Sequence, residues 1–309
     1  MASCPARLLL KPSPCRRSAP IAGGLFDNGD VAERHALAAA LAALAAGAAL
    51  GGWALLLEPR RLVVRRLRVE LEGWPRELDG LRIGIAADFH AGGPHVDERT
   101  VERAVERLNG ERPDVVALLG DYADPEAAGR RIEPEAVAER LGALRAPLGV
   151  FAVLGNHDWQ TDGPRTAAAL DGAGIAVLEN ESVALERDGA RAWLIGLADS
   201  AVRAPRFDPP LDELPDGEPA IALTHNPDLW PAIPRRIALT VAGHLHGGQV
   251  NLPFVRGAAT PSRYGARFAA GLFERDGGRL FVTAGIGTRG PPLRFGVPPE
   301  VVVLELRSG

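Results

Sequence analysis

The chain has 309 residues, of which 46% are apolar, and a formal net charge of −4. This length is enough for one large globular domain with a full core, or for two small ones. The charge is unevenly distributed, because residues 1–68 carry a net charge of +6 and the remainder carries −10. An acidic body binds duplex DNA poorly, since affinity for the phosphate backbone comes mainly from basic side chains. We therefore expect no nucleic-acid partner.

Lysine and cysteine usage excludes further classes of site. Lys11 is the only lysine of the chain, which rules out a P-loop lysine and a Schiff-base lysine in the body. Both cysteines, Cys4 and Cys15, lie in the N-terminal leader. They are either an incidental pair of thiols or a lipidation site. The body therefore uses neither disulfides nor thiolate metal ligands.

An uncharged run of 21 residues, 37–57, follows a leader at 1–36 that we predict to be disordered. The run is long enough to cross a bilayer core as a helix, and we interpret it as a membrane anchor. An export signal and a buried Ala-rich helix are the alternatives. Five arginines lie at 60–68, and we interpret the segment 58–80 as a basic juxtamembrane lead-in. The positive-inside rule then places the C-terminal body on the cytoplasmic face.

From residue 81 to the C-terminus the pattern is that of an α/β domain, which is the predicted catalytic domain. Short apolar runs predict strands at 82–87, 114–119, 150–154, 221–224, 237–242 and 301–306. Amphipathic periodicity predicts helices at 97–109 and 134–144. A hairpin is predicted around Asp276-Gly277-Gly278.

Five short polar motifs lie just beyond predicted strands. They are Asp88-Phe89-His90, Gly120-Asp121-Tyr122, Gly155-Asn156-His157-Asp158, Thr224-His225-Asn226 and Gly243-His244-Leu245-His246. Ligands gather at the carboxyl ends of strands in open α/β sheets. We therefore expect these motifs to converge on one metal site.

The motifs supply more candidate metal ligands than one tetrahedral ion can use. The seven candidates are Asp88, His90, Asp121, Asn156, His225, His244 and His246. Imidazole, carboxylate and amide oxygen together suit borderline divalent ions such as Mn, Fe, Zn, Ni or Co. Two divalent ions that share a bridging carboxylate fit this number of ligands.

All five motifs, in this order, resemble the calcineurin-like metallophosphoesterase family, and within it the membrane-associated bacterial branch typified by YkuE and YaeI. The Gly247-Gly248-Gln249 run and the tail from Gly285 to Gly290 are also similar to that branch. The resemblance implies a four-layer α/β/β/α sandwich of two mixed sheets. With the predicted anchor, it implies a single-pass protein of the bacterial inner membrane.

The family pattern also implies a role for each motif residue. The first ion would be held by Asp88, His90 and His246. The second would be held by Asn156, His225 and His244, with the Asp121 carboxylate bridging the two ions. His157 would be the acid or electrostatic helper near the leaving group, oriented by Asp158.

General chemistry explains why such a site would hydrolyse phosphoesters. Two divalent cations about 3.5–4 Å apart stabilise both the attacking and the leaving oxygen of an in-line displacement. A water that bridges them loses a proton near neutral pH, so a metal-bridged hydroxide is the expected nucleophile. The sequence has no Gly-x-Ser-x-Gly elbow that would supply a serine instead.

The predicted reaction is phosphodiester hydrolysis. A lipid-linked diester or pyrophosphate, such as a UDP-diacylglucosamine-like molecule, is the specific substrate suggested by the membrane anchor and by analogy with the branch. Phosphomonoesterase and protein phosphatase activities are alternatives within the same class. A non-catalytic metal-bound scaffold is the alternative from a different class, and the complete set of candidate ligands argues against it.

Three residues outside the motifs are weaker candidates for substrate contacts. Arg289 and Arg294 lie before the last predicted strand, and a guanidinium group matches phosphate oxygens in geometry. His95 lies in the loop after the first motif. For all three, a solvated surface position is the alternative.

Overall fold

The computed structural model describes residues 28–124, 131–208, 210–253, 255–256, 260–275 and 277–309. Most of the predicted leader lies outside the described residues, and so do Cys4, Cys15 and Asp276. The chain divides into two compact units, Met1–Ala48 and Ala49–Gly309.

The apolar run predicted from the sequence is helical. Helix α1 (Asn28–Gly52) continues through short π and 3-10 turns, Trp53–Leu57 and Glu58–Arg60. Within the described residues, one helix is long and apolar enough to cross a membrane, Val31–Arg60, with a mean hydropathy of 2.0. Residues 31–50 are exposed.

The second unit contains two mixed sheets. Its strands are β1 (Val63–Leu71), β2 (Arg82–Ala86), β3 (Val115–Leu118), β4 (Val150–Ala152), β5 (Ala176–Val177), β6 (Glu181–Arg187), β7 (Ala190–Gly196), β8 (Ala220–Leu223), β9 (Ile237–Ala242), β10 (Gly271–Arg275), β11 (Gly278–Val282) and β12 (Glu300–Ser308). The first sheet has the order β1-β12-β2-β3-β4-β5 and the second has the order β10-β11-β9-β8-β7-β6.

Each sheet combines a parallel centre with antiparallel pairs. In the first sheet, β12 is antiparallel to β2, and the run from β2 to β5 is parallel. In the second sheet, β7, β8, β9 and β11 are parallel, and β6 and β10 are antiparallel edges. The two-sheet architecture predicted from the family resemblance is confirmed.

Helices cover the outer face of the first sheet. They are α2 (Glu98–Gly110), α3 (Pro134–Leu141), α4 (Asn156–Thr161) and α5 (Gly163–Gly172). Val101, Val105 and Leu108 of α2 pack against Val116 and Leu118 of β3. These apolar residues recur every three or four positions, so one stripe of the helix faces the sheet.

The largest core lies between the two sheets. Ile83 and Ile85 of the first sheet pack in the same cluster as Ile221, Leu239 and Val241 of the second. The outer face of the second sheet is covered by the 3-10 turns Pro227–Ala232 and Gly265–Phe268 and by irregular segments. Both inner faces are buried, so their strands read as apolar runs in the sequence.

The first sheet extends on the N-terminal side of residue 81, the predicted start of the catalytic domain. Strand β1 lies within the segment 58–80 and pairs in parallel with β12 over nine residues. Val69 and Leu71 are 1% and 0% exposed. The β1 arginines, which resembled a juxtamembrane cluster, form ion pairs on the body with Glu300, Glu111 and Glu305. The pairing partner of β1 is more than 200 residues away, so no local pattern revealed it.

The five polar motifs follow β2, β3, β4, β8 and β9. The first three strands belong to one sheet and the last two to the other. The site is therefore built where the carboxyl ends of parallel strands from both sheets meet.

Candidate metal centre

Several candidate ligands have an unusual backbone conformation. Positive φ angles occur at Asp88 (53°), His90 (45°), Asp121 (57°), His244 (71°) and His246 (49°). This left-handed region costs a non-glycine residue of order 1 kcal/mol or more, and it clusters at functional sites. Main-chain hydrogen bonds hold the loops of the first and second motifs in this conformation. The Asp88 N–H donates to Gly120 O at 2.9 Å, and the His90 N–H donates to Asp121 O at 3.0 Å.

Two glycines are required by close approach at the centre. A Cβ atom at Gly155 would lie 2.2 Å from Oδ1 of Asp121. Gly120 has a φ of +90°, and a Cβ there would lie 2.4 Å from the Gly155 nitrogen. The second and third motifs therefore pack against each other through backbone alone.

A first cluster of metal-capable side chains consists of Asp88, His90 and His246, whose ligand atoms lie within 4.8 Å of one another. The Nε2 atoms of the two histidines are 3.2 Å apart. His246 Nε2 lies 3.9 Å from Asp88 Oδ1. All three residues are buried.

A second cluster consists of Asp121, His225 and His244, again within 4.8 Å. His244 Nδ1 lies 3.0 Å from His225 Nε2. Asp121 Oδ2 lies 3.3 Å from His225 Nε2 and 3.5 Å from His90 Nε2. One carboxylate oxygen is therefore in contact with a histidine from each cluster.

The protonation of the histidines fits a metal centre. Burial lowers the pKa of His90 and of His244 to about 3, so both rings are neutral and offer a lone pair. His225 Nδ1 donates to Leu119 O at 2.7 Å, which leaves Nε2 to face the second cluster. The facing nitrogens of His90 and His246 repel each other unless a cation or a proton lies between them.

Asp121 carries the charge of the centre. Burial opposes its ionisation, but nearby histidines, His225 first, hold the pKa of the Asp121 carboxyl well below its usual range. Burial likewise opposes a charge on His225, but Asp121 outweighs it and raises the pKa of His225 well above its usual range. A divalent ion would replace the proton that His225 shares with this carboxylate.

Asn156 and His157 begin helix α4 beside Asp121. Asn156 Oδ1 is buried and accepts no hydrogen bond among the described residues. The His157 main-chain N–H donates to Asp121 Oδ1 at 2.9 Å. The His157 ring packs edge-on against the His90 ring, with centroids 5.1 Å apart. Both residues named from the sequence therefore lie at the centre.

The prediction that Asp158 orients the His157 side chain is wrong. The Asp158 carboxylate accepts hydrogen bonds from the main-chain N–H groups of Gly155, Asp121 and Tyr122, at 2.8–3.0 Å. It therefore fixes the backbone of the Asp121 loop and the start of α4. Its side chain follows His157 in sequence, but helical geometry turns adjacent side chains to different directions.

The two tail arginines have different positions. Arg294 is fully buried and donates to the carbonyl oxygens of Ala284, Gly285, Gly287 and Val297. The suggestion that Arg294 pairs with substrate is therefore wrong. Arg289 is 28% exposed and lies 3.5 Å from Asp124. His95 Nε2 lies 2.7 Å from Pro292 O, so this ring is tied to the tail rather than solvated.

Asp199 was missed by the sequence analysis. It lies three residues beyond β7, is fully buried, and its Oδ2 has no hydrogen-bond partner among the described residues. Burial raises the pKa of the Asp199 carboxyl, and the charge of His225 opposes this shift in part. Its position after an apolar strand is the signal that could have identified it.

Comparison with known proteins places the site in context. The model of the family described as calcineurin-like phosphoesterase matches residues 81–255. The chain belongs to this family. The matched segment contains all five polar motifs, so the family resemblance inferred from them is confirmed. It excludes β1 and β12, which lie outside the matched residues.

Three relatives illustrate the range of this family. The uncharacterized metallophosphoesterase YkuE of Bacillus subtilis is 30% identical over 286 residues, covering 90% of this chain and 98% of the relative. A transmembrane protein with metallophosphoesterase domain from Danio rerio is 29% identical, covering 78% of this chain and 56% of the relative. The UDP-2,3-diacylglucosamine pyrophosphatase LpxG of Chlamydia trachomatis is 27% identical, covering 82% and 92%.

Proposed function

We propose that this chain is a binuclear metal-dependent phosphoesterase that hydrolyses phosphodiesters. The observation that carries the proposal is the position of Asp121 Oδ2, within 3.5 Å of a histidine nitrogen in each cluster. A carboxylate shared in this way could contribute to two ion sites at once, and two neighbouring ions stabilise both the attacking and the leaving oxygen of an in-line displacement. Membership of the calcineurin-like phosphoesterase family supports the reaction class.

The proposed ligands follow the two clusters. One ion would be held by Asp88, His90 and His246, and the other by Asn156, His225 and His244, with Asp121 contributing to both sites. Ions of the Mn, Fe, Co, Ni or Zn type would supply Lewis-acid activation of water and neutralisation of phosphoryl charge there. Asn156 completes the second set because its buried amide oxygen has no other partner among the described residues.

His157 is the proposed leaving-group residue. Its hydrogen bond to Asp121 Oδ1 holds it beside both clusters, although its own ring nitrogens belong to neither. Burial lowers the pKa of His157 from its ordinary value, and the Asp121 carboxylate opposes this shift. As a general acid, the ring would take up a proton from solvent, pass it to the leaving oxygen and return to the neutral form. Asp158 supports this role only through the backbone of α4.

We further propose that the substrate carries an apolar group, as in a lipid-linked diester or a UDP-diacylglucosamine-like pyrophosphate. A cavity of about 290 Å³ adjoins the first cluster, and its lining includes His246, Leu245, Val250, Leu293 and Arg289. Apolar walls beside one charged group suit a ligand that joins hydrocarbon to phosphate. The LpxG relative, which is named as a UDP-2,3-diacylglucosamine pyrophosphatase, supports a substrate of this kind.

We propose that the N-terminal helix anchors the protein in the bacterial inner membrane as a single span, with the body on the cytoplasmic face. The helix Val31–Arg60 has the required length and hydropathy, and relatives are named as transmembrane proteins. Arg60 and Arg61 lie within four residues of the end of the apolar run, which supports the cytoplasmic side.

Hydrolysis of bis-p-nitrophenyl phosphate and p-nitrophenyl phosphate by metal-free protein, reloaded with Mn, Fe, Co, Ni, Zn or Mg, tests the function. The expected result is a diester preference and activity that rises to a maximum at two metal equivalents per chain. A saturating maximum at one equivalent would contradict the binuclear proposal. A protein that binds two ions and hydrolyses neither ester would instead be a scaffold.

A further inference from the structure

The last turn of the N-terminal helix packs on the catalytic body. Glu58, which directly follows the apolar run, is only 3% exposed. Its Oε1 accepts from the Val297 main-chain N–H at 2.7 Å, and its Oε2 accepts from Trp53 Nε1 at 2.8 Å. The Arg294 main-chain N–H donates to Ala54 O at 3.0 Å. Buried carboxylates of this kind occur only where hydrogen bonds satisfy them.

The segment that receives this turn, residues 284–297, is organised by Arg294. Its guanidinium group donates to four carbonyl oxygens of the segment, and two of its nitrogens donate to Gly287 O. A fully buried guanidinium with all its donors on backbone oxygens holds the segment in one conformation. The Arg294 backbone in turn depends on Ala54, and the Val297 backbone on Glu58.

Gly287 connects this segment to the first metal-capable cluster. His246 Nδ1 lies 3.3 Å from Gly287 O, and the Gly287 N–H donates to Asp88 O at 2.6 Å. A hydrogen bond on Nδ1 sets the tautomer and the direction of a ligating imidazole. The second cluster has a different support, because His225 Nδ1 donates to Leu119 O, next to β3.

We infer that Glu58 and Arg294 are positioning residues that connect the end of the N-terminal helix, through Gly287, to His246. The helix is therefore more than an anchor, because its last turn supports His246 of the first cluster, whereas His225 of the second cluster is supported from Leu119. This role of Glu58 and Arg294 adds to the proposed function. Of the two measurements described next, only metal binding rests on that function.

The test compares Glu58→Gln with the wild type in the full chain, held in detergent micelles. Glutamine keeps the size but offers one acceptor to two donors, so one of the two hydrogen bonds is lost. The first readout is the nitrogen NMR spectrum of the histidine rings in metal-free protein, with His246 assigned by its loss in His246→Ala. We expect the His246 Nδ1 signal to shift and the His225 signals to stay unchanged.

The second readout is metal affinity, which is measured by titrating the metal-free protein with Co or Mn. We expect Glu58→Gln to weaken one of two metal equivalents by roughly 10- to 100-fold, as loss of an outer hydrogen bond typically does. Glu111→Gln is the matched control. Glu111 also joins an N-terminal residue, Arg66, to the body, but it lies away from segment 284–297. It should change neither readout.

Unchanged His246 signals in Glu58→Gln, or equal changes at His246 and His225, would overturn the inference. If Glu58→Gln fails to fold, Trp53→Phe is the second variant, because it removes only the donor to Glu58 Oε2. The His246 Nδ1 signal should then shift in the same direction but by a smaller amount. A wild type that binds fewer than two ions would contradict the proposed binuclear function. The metal-free spectra would still decide the role of Glu58.

Discussion

The two sheets contribute different chemistry to the centre. The first sheet supplies both carboxylates and the amide, whereas the second supplies three of the four candidate histidine ligands, His225, His244 and His246. Each cluster nevertheless takes residues from both sheets. The first sheet therefore contributes the negative charge of the centre, and the second contributes most of its imidazole nitrogens. A bound ion would be coordinated by residues of both sheets. The contribution of each sheet can be tested separately by changing residues of one sheet at a time.

The largest effect is expected from removing the edge strand of the first sheet. A chain of residues 49–309 keeps β1, whereas a chain of residues 73–309 loses it and exposes β12 as a new edge. Losing the burial of Val69 and Leu71 costs about 3–6 kcal/mol, which approaches the whole stability of a domain. Thermal unfolding by circular dichroism should show a cooperative transition only for the longer chain. A cooperative transition in the shorter chain would mean that β1 is dispensable.

Asp121→Asn should abolish most activity by removing the charge that the first sheet places between the clusters. We expect metal content to fall from two equivalents toward zero and kcat to fall by at least ~10³-fold, since several kcal/mol of charge stabilisation is lost. Elemental analysis and diester hydrolysis measure both. Asp114→Asn is the control, because Asp114 lies at the opposite end of the same strand. Retention of both ions by Asp121→Asn would refute the bridging role.

His157→Ala separates leaving-group chemistry from metal binding. Two metal equivalents should remain, while kcat falls by roughly 10²- to 10⁴-fold for a diester with an alkoxide leaving group. The loss should be small for p-nitrophenolate, which needs little protonation. Metal stoichiometry and kcat on the two diesters check this prediction. Equal losses on both would mean that His157 stabilises the phosphoryl oxygens, and loss of metal would make it a ligand.

Metal removal should have the smallest effect, and it tests the connection between the sheets. An ion present at 100 times its Kd stabilises the folded state by about 2.7 kcal/mol. For a body of this size that corresponds to a fall in Tm of about 5–10 °C on chelation. Differential scanning calorimetry with and without chelator measures it. The Tm of Asp121→Asn should not respond to chelator, and an equal fall in that variant would mean that the ions stabilise the fold elsewhere.

Much of the site could be predicted because its residues follow apolar strands in short local motifs. The strands before Asp88, Asp121, Asn156, His225 and His244 were all found from apolar runs, to within two residues of their observed ends. The metal-ligand assignments themselves remain predictions. The role of Asp158 could not be predicted, because its partners are main-chain N–H groups, and every residue except proline carries one.

The sequence by itself determined the elements whose signals are local: the apolar helix, the alternation of strands and helices, and the polar motif after each strand. Tertiary structure alone decided the contacts between distant segments. These are the pairing of β1 with β12, the burial of Arg294 and the hydrogen bond from the Val297 main chain to Glu58. The physical reason is that the sequence around such a residue is the same whether its side chain is hydrogen-bonded to water or to protein. Arg294 donates to buried carbonyl oxygens, and Glu58 accepts from a main-chain N–H group and an indole N–H group. Only the folded chain brings the partner within hydrogen-bonding distance.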